Sequence, residues 1–296
     1  MKRQKSELLL YTIQTEILPR LPIKSLGRFQ CVCKQWKSFL SSQEFIKLHK
    51  SRNKEKFLLL EPSIRAAKFH SFDCEPHYYP VTTLKNVPFE VKRKNALLLA
   101  SLDGLVCVGF KNSRKLMFWN PLTGAYKYLS NSKYHAQAYV PYSDAIGFYN
   151  DTLNDCYKIL HVNRKPSGSC MAYIYSQRLD TWKKIKFLEN AQRFSKHQHW
   201  SPVTFANGSL YFTIQGSQGE RLTVISFDVN SETFKEIQCP SGAKKCTKCT
   251  GRLVVVNDCI HLCVSSGMIR DSYWHYELDL WRMNGKEGGR RWSLFP

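Results

Sequence analysis

The first fifty residues carry apolar side chains at helical spacing, interrupted by prolines. Leu9, Ile13 and Ile17 lie four residues apart, which places them on one face of a helix. Pro19 disfavours helical backbone at the residue before it, so this first helix is predicted to end there. The pattern predicts a small helical module over residues 1–50.

Two more helices are predicted after a second proline. Pro22 can open the next helix, because a proline at the first helical position loses no hydrogen bond. Ser41 to Glu44 form a candidate capping box for a further helix that carries Phe45. The apolar stripe between these points has spacings of three and four residues: Leu26, Phe29, Cys33, Trp36, Phe39 and Leu40. So small a module cannot bury all this apolar surface alone, which favours docking onto a partner.

Beyond Lys56 the helical pattern gives way to short apolar runs. Residues 51–95 are predicted to be a connector with a first strand at 56–62 and an irregular stretch over 63–95. Over 96–296 short strands alternate with turns, which indicates a sandwich, a barrel or a propeller.

A repeat within residues 96–296 favours the propeller. Similar segments place an aromatic residue at Trp119, Tyr175, Phe227 and Trp281, at steps of 56, 52 and 54 residues. This matches the period of about 50 residues typical of kelch repeats, and four strands per unit predict propeller blades. The four units form either an open domain or one that the first strand closes.

Short turns are predicted from glycine and acidic residues. Asp103-Gly104 and Asn207-Gly208 are hairpin signals between apolar runs. Four aspartates stand at turn positions, where hydrogen bonds from side chain to backbone account for them: Asp103, Asp155, Asp180 and Asp228.

Composition sets limits on location and partners. The formal charge is +21, with 44 Lys and Arg against 23 Asp and Glu, and the basic residues are dispersed. Dispersed charge fits a solvated surface and argues against a dedicated nucleic-acid stripe. The chain has neither a signal-peptide core nor an apolar run long enough for a membrane span. We therefore expect a cytoplasmic or nuclear protein, or both, with its 11 cysteines reduced.

The segment from Glu16 to Trp36 closely resembles the F-box. It carries Arg-Leu-Pro-x-Lys-Ser-Leu and then Val-Cys-Lys-x-Trp in the order and distance of that family, followed by the Ser-Ser-x-x-Phe-Ile spacing of the plant type. It departs from the family at its start, where Leu9-Leu10-Tyr11-Thr12-Ile13 replaces the usual Leu-Pro-x-Asp/Glu-Leu. The repeats after it resemble the kelch-related F-box-associated domain, through the Asp-Gly-Leu-Val-Cys strand, the Trp-Asn-Pro turn and the Trp-Lys-Lys strand.

This resemblance implies an α plus all-β protein that acts as a non-catalytic adaptor. The F-box would dock onto a Skp1-type linker and so join a cullin and a RING subunit, while the repeat domain recruits a target protein for ubiquitination. Carried over position by position, the docking residues are Leu9, Ile13, Ile17, Leu21, Pro22, Leu26, Val32, Cys33 and Trp36.

Target contacts are predicted in inter-strand loops, since binding loops sit on rigid scaffolds. The candidate loops are 131–143, 164–169, 190–201, 215–220 and 239–251. Two alternatives are a basic propeller-like domain that binds nucleic acid or another acidic ligand without ligase docking, and an enzyme on a propeller scaffold.

Candidate chemical sites are weak in this sequence. Cys246 and Cys249, with Cys239 upstream and Cys259, His261 and Cys263 downstream, form the most metal-like cluster, but a second Cys-x-x-Cys pair is missing. His197 and His199 form a second metal-like pair, better interpreted as part of a partner-binding loop. No phosphate loop or nucleophile–base pair stands out, so the sequence predicts no catalytic residue, metal or cofactor.

Overall fold

The structure is a computed structural model of the chain. It describes residues 11–52, 56–61, 68–73, 81–84, 87, 89, 96–110, 115–130, 144–164, 169–189, 199–215, 222–240, 249–256, 259–270, 273–284 and 291–294. The chain divides into two compact units. Unit 1 comprises Met1–Asn95 and Trp119–Tyr126, and unit 2 comprises Ala96–Phe118 and Lys127–Pro296.

Unit 1 begins with the predicted helical module. A π-helical turn over Ile13–Ile17 is followed by a 3-10 turn over Leu18–Arg20. Three α-helices follow: α1 (Ile23–Phe29), α2 (Lys34–Leu40) and α3 (Gln43–Arg52). The prediction that the helix ends at Leu18 is wrong, because Leu18 has αR backbone and the chain stays helical to Arg20. Pro19 is tolerated because it lies early in the 3-10 turn. Pro22 is the N-cap of α1, one residue before the first helical position predicted for it.

The first sheet also lies in unit 1 and has the strand order β1-β2-β3. Its strands are β1 (Lys56–Glu61), β2 (Lys68–Asp73) and β3 (Thr82–Thr83). The predicted first strand is confirmed. The prediction that 63–95 is irregular is wrong in part, because β2 pairs antiparallel with β1 along its whole length. In Lys68-Phe-His-Ser-Phe-Asp the two phenylalanines are three residues apart, so the alternation of apolar and polar residues that signals a strand is missing.

Four antiparallel sheets follow. Three are meanders in chain order, and in the sheet over residues 199–237 the first two short strands both pair with the strand after them. Their strands are β4 (Ala96–Leu102), β5 (Leu105–Phe110), β6 (Lys115–Trp119) and β7 (Tyr126–Tyr128); β8 (Ala145–Asp151), β9 (Cys156–Arg164), β10 (Cys170–Ser176) and β11 (Thr181–Ile185); β12 (His199–Trp200), β13 (Thr204–Ala206), β14 (Ser209–Gln215), β15 (Thr223–Asp228) and β16 (Thr233–Ile237); and β17 (Cys249–Val256), β18 (Cys259–Arg270), β19 (Tyr273–Asn284) and β20 (Arg291–Leu294).

The sheets explain the sequence period. The repeated aromatic residues Trp119, Tyr175, Phe227 and Trp281 all lie on the next-to-last strand of their sheets, on β6, β10, β15 and β19. The repeating unit is therefore one blade, with four strands in three sheets and five in the other, and the three-stranded first sheet is the fifth blade. The chain is a short N-terminal helical region followed by a five-bladed β-propeller domain.

The core of unit 2 lies between successive sheets. Phe227 on β15 is fully buried, with its ring centroid 4.8 Å from that of Phe234 and 6.3 Å from that of Tyr149 on β8. Phe118 stacks on Phe148 with 5.0 Å between the ring centroids, which joins the second sheet to the third in the same way. Aromatic pairs of this kind contribute beyond the area they bury.

The two predicted hairpins are confirmed. Asp103-Gly104 connects β4 to β5 and Asn207-Gly208 connects β13 to β14. All four residues have positive φ, between 48° and 77°. A two-residue turn of this type matches the twist of the strands it joins, which is why Asp-Gly and Asn-Gly are favoured there.

Longer turns share another design. Asp228 Oδ1 accepts hydrogen bonds from the N–H groups of Asn230 (3.0 Å) and Ser231 (2.7 Å), as predicted for an aspartate in a turn. Four residues later, Glu232 has φ +53°. Asp155 and Asp180 occupy this second position in their own turns and also have positive φ. Their role is therefore to adopt left-handed backbone, which aspartate tolerates better than most residues.

Replacing Asp228 by alanine is expected to lower the free energy of unfolding by about 1 kcal/mol, the usual cost of removing a side-chain cap. The hydrogen bond from the Ser231 N–H holds the pKa of Asp228 below its ordinary 3.8. The stabilisation is thus present above that value and is lost as the pH falls through the depressed pKa. Urea unfolding at pH 7 and at low pH checks this prediction. The free energy of unfolding of Asp228→Asn should change less with pH than that of the wild type. Identical unfolding curves for the wild type and both variants would contradict it.

Candidate partner-docking surface

The helical module has a closed apolar core of its own. Leu18, Leu26, Leu40 and Phe45 are between 2% and 5% exposed. The half-buried side chains packed against them are Ile13, Leu21, Phe29, Trp36 and Phe39. The module thus buries more of its apolar stripe than its small size suggests, and the remaining exposed apolar residues are what a partner could contact.

Short side-chain caps fix the starts of two helices. Cys33 Sγ accepts a hydrogen bond from the Trp36 N–H at 3.4 Å at the start of α2. Ser42 Oγ accepts one from the Phe45 N–H at 3.2 Å at the start of α3. Ser42, rather than Ser41, is therefore the cap that the predicted capping box supplies.

Polar contacts tie α3 to the segment before α1. Arg52 donates to both carboxylate oxygens of Glu16, at 2.9 and 3.1 Å, and this lowers the pKa of Glu16. His49 Nε2 lies 3.1 Å from the Leu21 carbonyl oxygen. The ion pair between Glu16 and Arg52 is exposed, so it adds little to the free energy of unfolding. Its main effect is to align α3 with the segment before α1.

The predicted docking residues fall into three groups. Ile17 (49% exposed), Pro22, Val32 (64%) and Cys33 are exposed. Ile13, Leu21 and Trp36 are half-buried, and the ring of Trp36 meets Phe29 edge-on with 5.5 Å between centroids. Leu26 belongs to the core, and Leu9 lies outside the described residues.

Two exposed apolar residues of the module were not predicted as docking residues. Tyr11 is 64% exposed and Ile46 is 39% exposed. The signal for Tyr11 was its place in the segment that departs from the F-box pattern. Ile46 follows the buried Phe45 on α3, and helical spacing puts successive residues on different faces.

Unit 2 presents two opposite edges. The turn edge carries the short turns at 103–104, 151–155, 176–180, 207–208 and 228–232. The connection edge lies at the other ends of these strands. The segments predicted to contact a target lie mostly outside the described residues: 131–143, 164–169, 190–201, 215–220 and 239–251. The strands that flank them, such as β9 ending at Arg164 and β14 ending at Gln215, end at the connection edge.

The metal-like cysteines do not converge in the described part of the chain. Cys259 and Cys263 lie on β18 with His261 between them, and His261 Nδ1 lies 3.1 Å from the Cys259 carbonyl oxygen. The side chains described for this structure include no group of three His, Cys, Asp or Glu that could hold a metal ion. Cys246 and His197 lie outside the described residues.

Buried thiols elsewhere are held protonated. Burial raises the pKa of Cys107 to about 12 and that of Cys170 to about 11. A thiol at such a pKa is a weak nucleophile at neutral pH.

Over the described ranges, no helix is long and apolar enough to cross a membrane.

Two family models match the chain. The model of the F-box domain matches residues 9–48, and that of the F-box associated beta propeller domain matches residues 35–295.

Curated relatives come from Arabidopsis thaliana. A putative F-box protein is 25% identical over 226 residues, which cover 76% of this chain and 59% of the relative. An F-box/kelch-repeat protein is 27% identical over 245 residues, covering 76% and 64%. F-box only protein 8 is 27% identical over 240 residues, covering 77% and 79%. The chain spans about three fifths of the length of the first two relatives.

Solved structures are similar only at low identity. A thermostable family-43 glycoside hydrolase gives a TM-score of 0.44 at 10% identity, covering 81% of this chain and 89% of that one. An ulvan lyase of polysaccharide lyase family 25 gives 0.45 at 8% identity, covering 81% and 68%. Likeness at this level says nothing about activity.

Proposed function

The chain belongs to the F-box proteins that carry an F-box associated β-propeller domain, and from this premise we propose that it is the substrate-recognition subunit of an SCF-type E3 ubiquitin ligase. The F-box docks onto a Skp1-type linker and through it reaches a cullin and a RING subunit. The propeller domain binds the target protein. The chain performs no catalytic step in this role.

One observation carries this proposal: the F-box is folded around its own core and still exposes apolar side chains. Leu18 and Leu26 are buried, whereas Val32 is 64% exposed and Ile17 is 49% exposed. Exposed apolar groups on a small, well-packed module are what a protein interface buries.

The mechanism is effective concentration. One module binds the ligase core and the other binds a target, so a ubiquitin-charged enzyme on the core meets the target's lysines as though at high local concentration. This role needs two independent binding surfaces and no reactive residue. It acts in the cytoplasm, the nucleus or both, which fractionation of cells that express a tagged chain would check.

The experiment is a co-purification of the full chain with a Skp1-type linker, wild type beside Trp36→Ala. The wild type is expected to form a stable complex, and Trp36→Ala should weaken it by about 2 kcal/mol or more, as for a buried interface anchor. Because Trp36 also packs on Phe29, circular dichroism of the variant must show that its helices persist. A wild type that binds no linker would contradict the proposal.

The charge of +21 favours one other function, the binding of nucleic acid or another acidic ligand by the propeller domain. Affinity for an acidic ligand should fall steeply between about 50 and 200 mM salt. Linker docking through apolar contacts should resist this change. Titrating a duplex oligonucleotide and the linker separately over the same salt range distinguishes the two functions.

A further inference from the structure

Two thiols lie on either side of Val32 in the F-box. Cys31 and Cys33 belong to the short segment between α1 and α2, and both are exposed. The other cysteines described with their side chains are buried or half-buried: Cys107, Cys156, Cys170, Cys239, Cys259 and Cys263. Over the described side chains, the thiols that a reagent meets from solvent are therefore concentrated in this one segment.

Burial makes the inner thiols poor nucleophiles as well. Exchange between a thiol and a disulfide begins when a thiolate attacks a disulfide sulfur, so it requires both access and loss of the proton. Desolvation raises the pKa of Cys107 to about 12 and that of Cys170 to about 11. At neutral pH, exchange is thus directed away from these two buried thiols and towards exposed ones.

The segment that carries the two thiols has only positive side chains among its charged residues. Residues 17–43 contain no Asp or Glu but five basic residues: Arg20, Lys24, Arg28, Lys34 and Lys37. Lys34 directly follows Cys33 in the chain. Surface charge of one sign raises the local concentration of small ions of the opposite sign.

This positive charge is not neutralised by neighbouring carboxylates. Arg28, Lys34 and Lys37 are exposed, and no carboxylate of the described chain forms an ion pair with them. Glu16, the acidic residue that precedes this segment, is already paired with Arg52 at 2.9 Å. A reagent with negative charge is therefore attracted to the two thiols, and a reagent with positive charge is repelled.

The two sulfur atoms are placed beside the apolar side chain that a partner has to reach. Cys31 Sγ donates a hydrogen bond to the Gly27 carbonyl oxygen at 3.8 Å, and Cys33 Sγ accepts one from the Trp36 N–H at 3.4 Å. Val32 between them is 64% exposed. A bulky polar group on either sulfur would cover Val32 and bring charge into a surface that must lose its water on docking.

We propose that Cys31 and Cys33 form a thiol-modification site that takes a small, negatively charged disulfide, and that the resulting mixed disulfide blocks linker docking. The thiolate of one cysteine attacks one sulfur of the small disulfide, and a new S–S bond forms as the old one breaks. The leaving thiolate takes up the proton that the cysteine lost. The small disulfide is thus the oxidant, and the protein thiol is oxidised.

Modification and docking exclude each other on this surface. A docked linker covers Val32 and its neighbours, so the reaction acts on the receptor that has not yet docked. Because exchange is reversible, an excess of the reduced small thiol restores the free cysteine. The effect on docking rests on the proposed receptor function, whereas the modification itself does not.

The test treats the full chain at neutral pH with glutathione disulfide, a small acidic disulfide. Peptide mass spectrometry should find the adduct on Cys31 or Cys33 ahead of Cys107 and Cys170. Calorimetric titration after removal of excess disulfide should show at least about tenfold weaker linker binding, a loss of about 1.4 kcal/mol, and dithiothreitol should reverse it. Earlier reaction of the buried cysteines, or an adduct that leaves docking unchanged, would overturn the proposal.

Two variants locate the effect, each compared with its own untreated sample. Treatment should leave the linker affinity of Cys31→Ser with Cys33→Ser unchanged, and serine retains a cap for α2. The matched control, Cys259→Ser with Cys263→Ser, removes two half-buried thiols from β18 and should lose affinity on treatment as the wild type does. An equal loss in both variants would contradict the assignment of the site.

Salt dependence tests the preference for negative charge. From about 0.05 to about 0.5 M salt, modification of Cys31 and Cys33 by glutathione disulfide should slow, and modification by cystamine, a disulfide with two positive charges, should accelerate. Each reagent is compared with itself, so intrinsic reactivity cancels, and the opposite trends would overturn the charge argument. If the untreated wild type binds no linker, the receptor function fails, while the position of the adduct still decides the modification site.

Discussion

Replacing Val32 by glutamate is expected to weaken binding to a Skp1-type linker by about a hundredfold or more, without lowering the stability of the chain. Val32 lies between α1 and α2 and is 64% exposed, so its side chain contributes little to the module's core. Burying a valine in an interface is worth roughly 1.5–3 kcal/mol, and a carboxylate there would also lose its water without gaining a partner. A hundredfold change corresponds to about 2.7 kcal/mol.

Val81→Glu is the matched control for this prediction. Val81 is 61% exposed and lies just before β3, outside the F-box, so its substitution changes charge and exposed area in the same way. Calorimetric titration of the linker should show normal affinity for Val81→Glu and a large loss for Val32→Glu. Equal affinity in both would remove Val32 from the docking surface, and a lower melting temperature in Val32→Glu alone would make its effect structural.

The sequence predicts docking residues but not their burial. Leu26 and Val32 both belong to the F-box pattern, yet Leu26 is 5% exposed and Val32 is 64% exposed. Periodicity shows which residues share a helical face, but whether a face turns inward depends on how α1, α2 and α3 pack against one another. Leu26→Ala should therefore lower stability by about 2–5 kcal/mol, as core truncations do.

The repeat domain could be predicted further than its binding surface. A period of 52 to 56 residues between Trp119 and Trp281 identifies one aromatic residue in each of four blades, because the same strand position is buried in three of them and half-buried in the last. The first blade was missed in part, since the two phenylalanines of the Lys68–Asp73 strand are three residues apart and give no alternating strand pattern.

Replacing Phe227 by alanine should have the largest effect on stability, a loss of about 3–5 kcal/mol. Phe227 is fully buried in a core that the third and fourth blades share, and its ring meets Phe234 on its own sheet and Tyr149 on the neighbouring one. Removing it leaves a cavity between two sheets whose backbones are fixed by their own hydrogen bonds and cannot close the gap. Domains of ordinary stability have only about 5–15 kcal/mol to lose.

Phe205→Ala is the matched control, because it removes the same ring from a position that is 40% exposed on β13. Urea unfolding followed by tryptophan fluorescence should shift far more for Phe227→Ala than for Phe205→Ala. If the two midpoints moved equally, the core between the third and fourth blades would not be packed as described. The expected result is that only Phe227→Ala lowers the urea midpoint, while this variant still binds the linker in the absence of urea. The F-box would then keep its fold although the blades are less stable, as two independent binding modules require.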